Sequence, residues 1–113
     1  MKNKNLGVST LLQMYGGVLT DKQRAMMNAY YDLDCSLAEI ADEYDISRQA
    51  VRDNIKRAET ALFESEEKFG ILKTKERLAE KIEKLKKLLS EKGFLDDEIR
   101  LALEETESEL EGQ

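Results

Sequence analysis

Apolar residues recur at helical spacing in two neighbouring stretches between residues 36 and 62. The first stretch places one apolar stripe on a short helix, made of Leu37, Ile40, Ala41 and Tyr44. The second places another stripe on a longer helix, made of Ala50, Val51, Ile55, Ala58 and Leu62. Between them Ser47 stands where a helix N-cap belongs. Two helices joined by so short a turn predict a helix-turn-helix.

The polar side of the second helix carries the candidate nucleic-acid-binding residues. At about 100° per residue, Gln49, Arg52 and Lys56 project away from the apolar stripe, with Asp53 beside them. In a helix-turn-helix such positions enter a major groove, where Gln reads adenine, Arg reads guanine and basic side chains hold phosphates. With the N-cap and the two flanking arginines, the predicted set is Ser47, Arg48, Gln49, Arg52, Lys56 and Arg57.

The same pattern also fits the solvent-exposed back of an amphipathic helix. Asp53 lies within the basic set, and the preceding helix and turn carry more carboxylates that would repel phosphate, namely Glu39, Asp42, Glu43 and Asp45. The residues alone therefore leave nucleic-acid contact and a solvated helix surface both open.

Two shorter helices are predicted before this pair. The first has the apolar residues Leu6, Val8, Leu11, Leu12 and Tyr15 and ends at Gly16-Gly17, a helix-stopping pair. Thr20 and Gln23 have the spacing of a capping box, so a second helix should run from Asp21 to about Tyr31 or Asp32.

The pattern changes near residue 70. The helix that begins at Ser47 has no break before Gly70, which we interpret as its C-cap. Beyond it lies a coiled-coil seam of about two heptads, and Gly93 and a cap at Asp96 or Asp97 then predict one more helix. Two heptads are too few to be stable alone, so the seam must pack on the first domain, its neighbouring helix or a second copy. We predict a helix-turn-helix domain over 1–70 and a helical hairpin over 71–113 that supports dimerisation through Leu78, Ile82, Leu85 and Leu89.

Composition agrees with an all-α fold and limits the kind of partner. Charged residues make up 37% of the 113 residues and proline is absent, which favours long, solvent-exposed helices. The net charge is −6; residues 1–63 carry eight Lys or Arg against nine Asp or Glu, and residues 64–113 carry ten against fifteen. A strong non-specific DNA binder is normally basic overall. A local basic helix on this chain implies modest, salt-sensitive affinity or a partner other than DNA.

The residues that carry most enzyme chemistry are scarce. The sequence has no histidine, one cysteine and no glycine-rich phosphate loop, so we expect no enzyme activity, no cofactor and no metal site. Cys35 is expected to be a small apolar filler. We see no secretory signal and no run of about 20 apolar residues, so we expect a cytoplasmic protein without a membrane span.

Several runs resemble region 4 of sigma-70-type factors: Leu19 to Gln23, Tyr30-Tyr31, Ser36 to Ala41, Ile46 to Val51 and Ile55 to Glu59. The chain is more similar still to the YlxM family of small bacterial helix-turn-helix proteins, whose signature S-R-Q-A-V-x-D-N-I-K-R matches Ser47 to Arg57. The sigma resemblance implies that the six candidate residues face or flank a DNA groove. The YlxM resemblance implies a cytosolic protein whose gene lies beside those of the signal recognition particle. The chain lacks the other sigma regions and is acidic, so it is not expected to be a working sigma factor.

Together these observations predict an all-α protein with a sigma-70 region 4-like helix-turn-helix bundle and a C-terminal helical hairpin. The predicted function is a non-enzymatic nucleic-acid-binding regulator, a homodimer, connected by resemblance to the signal recognition particle pathway. DNA is the expected target and the particle's RNA is the alternative. The rival hypothesis is a protein-interaction module that no longer reads nucleic acid and binds a protein component of the particle.

Overall fold

A computed structural model describes residues 6–112. For Leu6 it describes the backbone only, so the predicted packing of the Leu6 side chain lies outside the described part of the chain. Within this range the chain forms six α-helices and no strand, which confirms the all-α helix-turn-helix bundle. No helix in the range has the length and apolar character that a membrane span requires. The helices are α1 Leu6–Tyr15, α2 Asp21–Met27, α3 Leu37–Tyr44, α4 Arg48–Phe69, α5 Ile71–Glu91 and α6 Asp97–Glu111.

The chain divides into two compact units, Met1–Phe69 and Gly70–Gln113. α4 is the centre of the first unit, because α1, α2 and α3 all pack against it. Four residues of α4 are fully buried at intervals of three and four, and they are Val51, Ile55, Ala58 and Leu62. The other helices cover this stripe with aliphatic and tyrosine side chains, chiefly Val8, Leu11, Leu12, Tyr15, Met26, Met27, Tyr30 and Ile40. The first unit therefore has a continuous hydrophobic core.

Side-chain caps fix where the short helices begin. Thr20 and Gln23 form the predicted capping box at the start of α2, with the Gln23 N–H donating to the Thr20 Oγ1 atom over 3.1 Å. Ser36 and Glu39 form a second capping box at the start of α3, which the sequence analysis did not anticipate. These reciprocal hydrogen bonds satisfy backbone N–H groups that have no partner inside a helix.

The end of α2 differs from the prediction. The α-helical turns stop at Met27, and a wider π-type turn continues over Asn28–Asp32, closed by the Leu33 N–H donating to the Asn28 carbonyl over 3.0 Å. Two adjacent tyrosines use this turn: Tyr30 is buried, and the Tyr31 hydroxyl donates to the Glu59 carboxylate of α4. Their rings meet edge to face with centroids 5.0 Å apart. The wider turn thus lets two successive side chains both reach the core side of the helix.

The second unit is a helical hairpin. Glycine 93, with a φ of 77°, turns the chain after α5, and Asp96 caps α6 by accepting from the Ile99 N–H over 2.8 Å. Lys86 of α5 donates to the Glu107 carboxylate of α6 over 3.2 Å and so links the two helices. Neither helix contains a buried residue. The hairpin therefore has a half-open apolar interface and no closed core.

Candidate nucleic-acid interface

A three-residue turn, Asp45-Ile46-Ser47, joins α3 to α4. Asp45 adopts the left-handed conformation, with φ 54° and ψ 48°, and its N–H donates to the carbonyls of Ala41 and Asp42. The Ile46 N–H donates to the same Ala41 carbonyl over 3.0 Å. These bonds close the end of α3 and reverse the chain sharply. Only two residues therefore separate Asp45 from the start of α4 at Arg48.

The start of α4 is held by its cap and by its buried stripe. The Ser47 Oγ atom accepts from the Ala50 N–H over 3.0 Å, and the Ser47 carbonyl accepts from the Val51 N–H over 3.1 Å. The predicted N-cap is confirmed. Because the Ser47 hydroxyl already serves the backbone, its contribution to a nucleic-acid site is to fix the position of the helix end.

All six predicted nucleic-acid-binding residues lie on the surface of the first three turns of α4 or at its cap. At about 100° per residue, Arg52, Lys56 and Gln49 fall within an arc of about 60°. Asp53 and Arg57 continue that arc, while Arg48 lies closer to the edge of the buried stripe. The helix thus brings Gln49, Arg52, Lys56 and Arg57 together on one exposed face with Asp53 inside it, while Ser47 and Arg48 lie outside that face.

The helical pattern predicts Asp53 beside the basic residues but does not predict its hydrogen-bond partner. The Gln49 Nε2 atom donates to the Asp53 Oδ1 atom over 2.9 Å, a pairing of residues four positions apart on the same helix. This bond uses one amide hydrogen of Gln49 and leaves the second hydrogen and the Oε1 acceptor. Adenine recognition in the major groove needs one donor and one acceptor. Gln49 therefore keeps the groups for adenine recognition while its orientation is restrained.

The charges around the face are divided between the two helices. Residues 48–57 contain four basic side chains and only one carboxylate, whereas α3 and the turn expose four carboxylates. One of these, Glu39, accepts from the Ser36 N–H over 2.8 Å. This hydrogen bond, together with that to the Ser36 side chain, lowers the pKa of Glu39 and keeps the carboxylate ionised. The local charge is therefore positive on the exposed face of α4 and negative on α3 and the turn.

The tyrosines contribute to packing. The Tyr15 hydroxyl donates to the Glu66 carboxylate over 2.7 Å, and Tyr31 donates to Glu59, so both hydroxyls tie earlier helices to the distal half of α4. Burial, followed by the hydrogen bond and the charge of Glu59, raises the pKa of Tyr31. These contacts place Tyr31 in the helix packing and not among side chains that could stack on bases.

Residues 6–112 contain no group of three or more His, Cys, Asp or Glu side chains placed to hold a metal ion. Cys35 is half-buried at the loop before α3. What the arrangement can do chemically is donate hydrogen bonds and positive charge from α4.

Comparison with known proteins agrees with this architecture. Residues 2–102 match the UPF0122 family, described as "Putative helix-turn-helix protein, YlxM / p13 like". UPF0122 proteins of Bacillus cereus (strains AH187 and G9842) and Bacillus anthracis (strain A0248) are each 43% identical to the chain over 107 residues, covering 95% of this chain and 97% of theirs. The protein belongs to the UPF0122 family of YlxM/p13-like helix-turn-helix proteins.

Proposed function

We propose that the protein is a non-enzymatic regulator that binds duplex DNA through the first three turns of α4, acting in the cytoplasm as a homodimer. The observation that carries the proposal is the continuous exposed face formed by Arg52, Lys56 and Gln49 on a helix anchored by a buried stripe and a helix-turn-helix turn. Membership of a helix-turn-helix family supports it.

The exposed face divides into two roles in this proposal. Gln49 and Arg52, near the start of the helix, read base edges, because the N-terminal part of a recognition helix reaches deepest into the groove. Arg48, Lys56 and Arg57 hold phosphates, which supply affinity and orientation but no sequence information. The resemblance to sigma-70 region 4 supports this assignment.

Helix dimensions favour DNA over an RNA duplex. The major groove of B-DNA admits an α-helix, whereas that of A-form RNA is too narrow for side chains to read. Signal recognition particle RNA, the alternative target, would have to offer a loop or bulge to α4. A role beside the signal recognition particle rests on the family resemblance.

A second candidate function is a protein-interaction module that binds a basic protein surface, such as a protein component of the signal recognition particle. The observation that favours it is the pairing of Gln49 with Asp53, together with the exposed carboxylates of α3. In that case the acidic surface is the working surface, and the basic face of α4 is solvated.

The deciding experiment measures binding to random duplex DNA and to signal recognition particle RNA of equal length across a salt series. It compares wild type with Arg52→Ala/Lys56→Ala. A matched control, Lys68→Ala/Lys87→Ala, also removes two exposed positive charges, but away from the face. We expect salt-dependent binding whose logarithmic slope falls by about two in the first variant only.

Equal losses in both double variants would show that only overall charge matters and would contradict the assignment to α4. Absence of binding to either nucleic acid at low salt would favour the protein-interaction function. In that case a labelled basic partner should bind wild type and the Arg52→Ala/Lys56→Ala variant equally.

A further inference from the structure

One side of the α5–α6 hairpin carries an apolar strip. Leu78, Leu85 and Leu88 are 44%, 47% and 41% exposed. Their neighbours Ile82, Lys86 and Leu89 are half-buried on the side of α5 that meets α6. At about 100° per residue, Leu78, Leu85 and Leu88 lie roughly 50°, 70° and 130° around the helix from the mean direction of the α6-facing residues, all on the same side of it. The strip therefore lies on a flat side of the hairpin.

The strip on α5 has a basic rim. Arg77, Lys81 and Lys84 are exposed and lie on the same half of the helix as the three leucines. Glu76, Glu80 and Glu83 lie about 140° or more from Leu78 around the helix, whereas Glu91, near the end of α5, lies about 60° from Leu88 and beside Lys84. The basic rim is therefore clearest beside Leu78 and Leu85. A partner for this strip must therefore supply apolar contact and negative charge.

The contacts of Lys86 show which residues of α6 share this side of the hairpin. Lys86 donates to Glu107 and also lies near Glu104, so these two glutamates belong to the side of the hairpin away from the leucines. The opposite flank of α6 carries Ala102 and Thr106. The Thr106 hydroxyl donates to the Ala102 carbonyl over 3.0 Å, so a methyl group faces outward.

The rim of α6 on this side is acidic. Glu98, Glu105 and Glu109 are exposed and border the small residues Ala102 and Thr106. One flat side of the hairpin thus combines large leucines with a basic rim on α5 and small residues with an acidic rim on α6. This arrangement is self-complementary, as a two-fold symmetric interface requires.

We propose that this side docks on the same side of a second copy, with α5 of each copy lying on α6 of the other in an antiparallel four-helix arrangement. Leucines then pack over Ala102 and Thr106, and each basic rim lies beside an acidic rim. Pairing α5 with α5 would instead bring Lys81 and Lys84 against their own copies. This inference rests on the homodimer of the proposed function and specifies how it is built.

The available area agrees with a small specific interface. Two helices about 10 Å wide and of these lengths present a footprint of roughly 500 Å² per copy, or about 1,000 Å² in total. That lies at the lower limit of specific protein–protein interfaces. Attraction between the basic and acidic rims therefore contributes strongly to the orientation of the two copies.

The first test is the mass of the full chain by sedimentation equilibrium over a range of concentrations, without nucleic acid. Wild type should be dimeric and Leu78→Ser/Leu85→Ser monomeric, with helix content checked by circular dichroism. Leu101→Ser is the matched control, because Leu101 is 57% exposed on the far side of α6 and its loss should leave the dimer unchanged.

The second test reverses the rims. Lys81→Glu/Lys84→Glu should raise the dimer dissociation constant by about tenfold, because attraction becomes repulsion at exposed pairs. Adding Glu105→Lys/Glu109→Lys should restore dimerisation to near the wild-type level. Only pairing of α5 with α6 of the other copy predicts this rescue.

The possible outcomes distinguish the proposed homodimer from the proposed arrangement of its helices. A monomeric wild type would overturn this inference and the proposed homodimer. It would not affect the proposal that α4 binds nucleic acid, because the salt-series experiment tests that proposal separately. A dimer that survives the two serine substitutions, or ignores the rim reversal, would overturn this inference alone.

Discussion

Asp45 holds the left-handed turn between α3 and α4, a conformation that costs L-residues free energy and that glycine adopts readily. We expect Asp45→Gly to raise the free energy of unfolding by up to about 1 kcal/mol. The matched control is Asp42→Gly, the same change within α3, which should lower it by roughly 0.3 kcal/mol because glycine is less favourable than Asp in a helix interior. Urea denaturation measures both; a loss at Asp45 as large as that at Asp42 would contradict the argument.

Asp53 places a negative charge inside the exposed face of α4 while it orients Gln49. Asp53→Asn removes the charge but keeps an acceptor for the Gln49 amide. Affinity for random duplex DNA at low salt should therefore rise by roughly fivefold, equivalent to about 1 kcal/mol. Fluorescence anisotropy measures the change, with Glu64→Gln on the distal half of the same helix as the charge-matched control. An equal gain in both variants would assign the effect to net charge.

The hydrogen-bonded Glu39 carboxylate at the start of α3 makes the stability of the folded chain depend on pH. Its pKa is lowered by hydrogen bonds from Ser36, so the ionised carboxylate stabilises the folded chain above the ordinary glutamate value of 4.5, and this contribution is lost as pH falls through the lowered pKa. Glu39→Gln can keep the capping box without titrating. The variant should be slightly less stable than wild type near pH 7, because it lacks the ionised carboxylate, and should approach wild type as the pH falls below 4.5 and Glu39 becomes protonated.

Chemical denaturation at the two pH values provides this comparison. Glu43→Gln, on the same helix but outside the capping box, is the control and should follow wild type at both. An identical acid dependence in wild type and Glu39→Gln would remove Glu39 from the explanation.

At the residue scale, periodicity was sufficient to predict which side chains of α4 are exposed and that Ser47 caps it, because both follow from helix geometry. It could not predict the Gln49–Asp53 bond. Residues four positions apart face each other on any helix, and Gln49 could equally have extended into solvent. Whether this hydrogen bond forms depends on the rotamers of both side chains, which helical periodicity does not specify.

At the element scale, the boundaries of α4 and the hairpin followed from caps and glycines, whereas the π-type turn after Met27 did not. One extra residue in a turn leaves the apolar spacing nearly unchanged, so the sequence predicts a plain helix. Tyr31, within the wider turn, donates to Glu59, which lies 28 residues further along the chain. Tertiary contacts of this kind are invisible to a local pattern.

The two units should differ in local stability. α5 and α6 contain no buried residue, whereas α4 buries a complete stripe, so fewer contacts oppose opening of the hairpin. Amide hydrogen exchange should therefore be faster in α5 and α6 than in the first three turns of α4 after the cap. Mass spectrometry at low protein concentration, where a dimer dissociates, makes the comparison. Equal protection under those conditions would contradict it.

At the scale of the whole molecule, the uneven charge matters more than its sum. The net charge of −6 argues against DNA binding when the chain is treated as uniform. The structure resolves this into a basic face on α4, an acidic α3, and a hairpin with one basic and one acidic rim. Electrostatic attraction at these distances is screened within about a Debye length, so a partner responds to the local face. Composition predicted a weak affinity and could not predict this arrangement.

Because the tyrosines all lie in the first unit, tyrosine fluorescence follows that unit separately from the hairpin. All four tyrosines lie before residue 45, the chain has no tryptophan, and two of the phenol hydroxyls donate to carboxylates of α4. Tyrosine emission therefore reports only on the helix-turn-helix unit, whereas the far-ultraviolet signal sums all six helices. Melting curves recorded by the two methods need not coincide, and their difference isolates the unfolding of the tyrosine-free hairpin without any label.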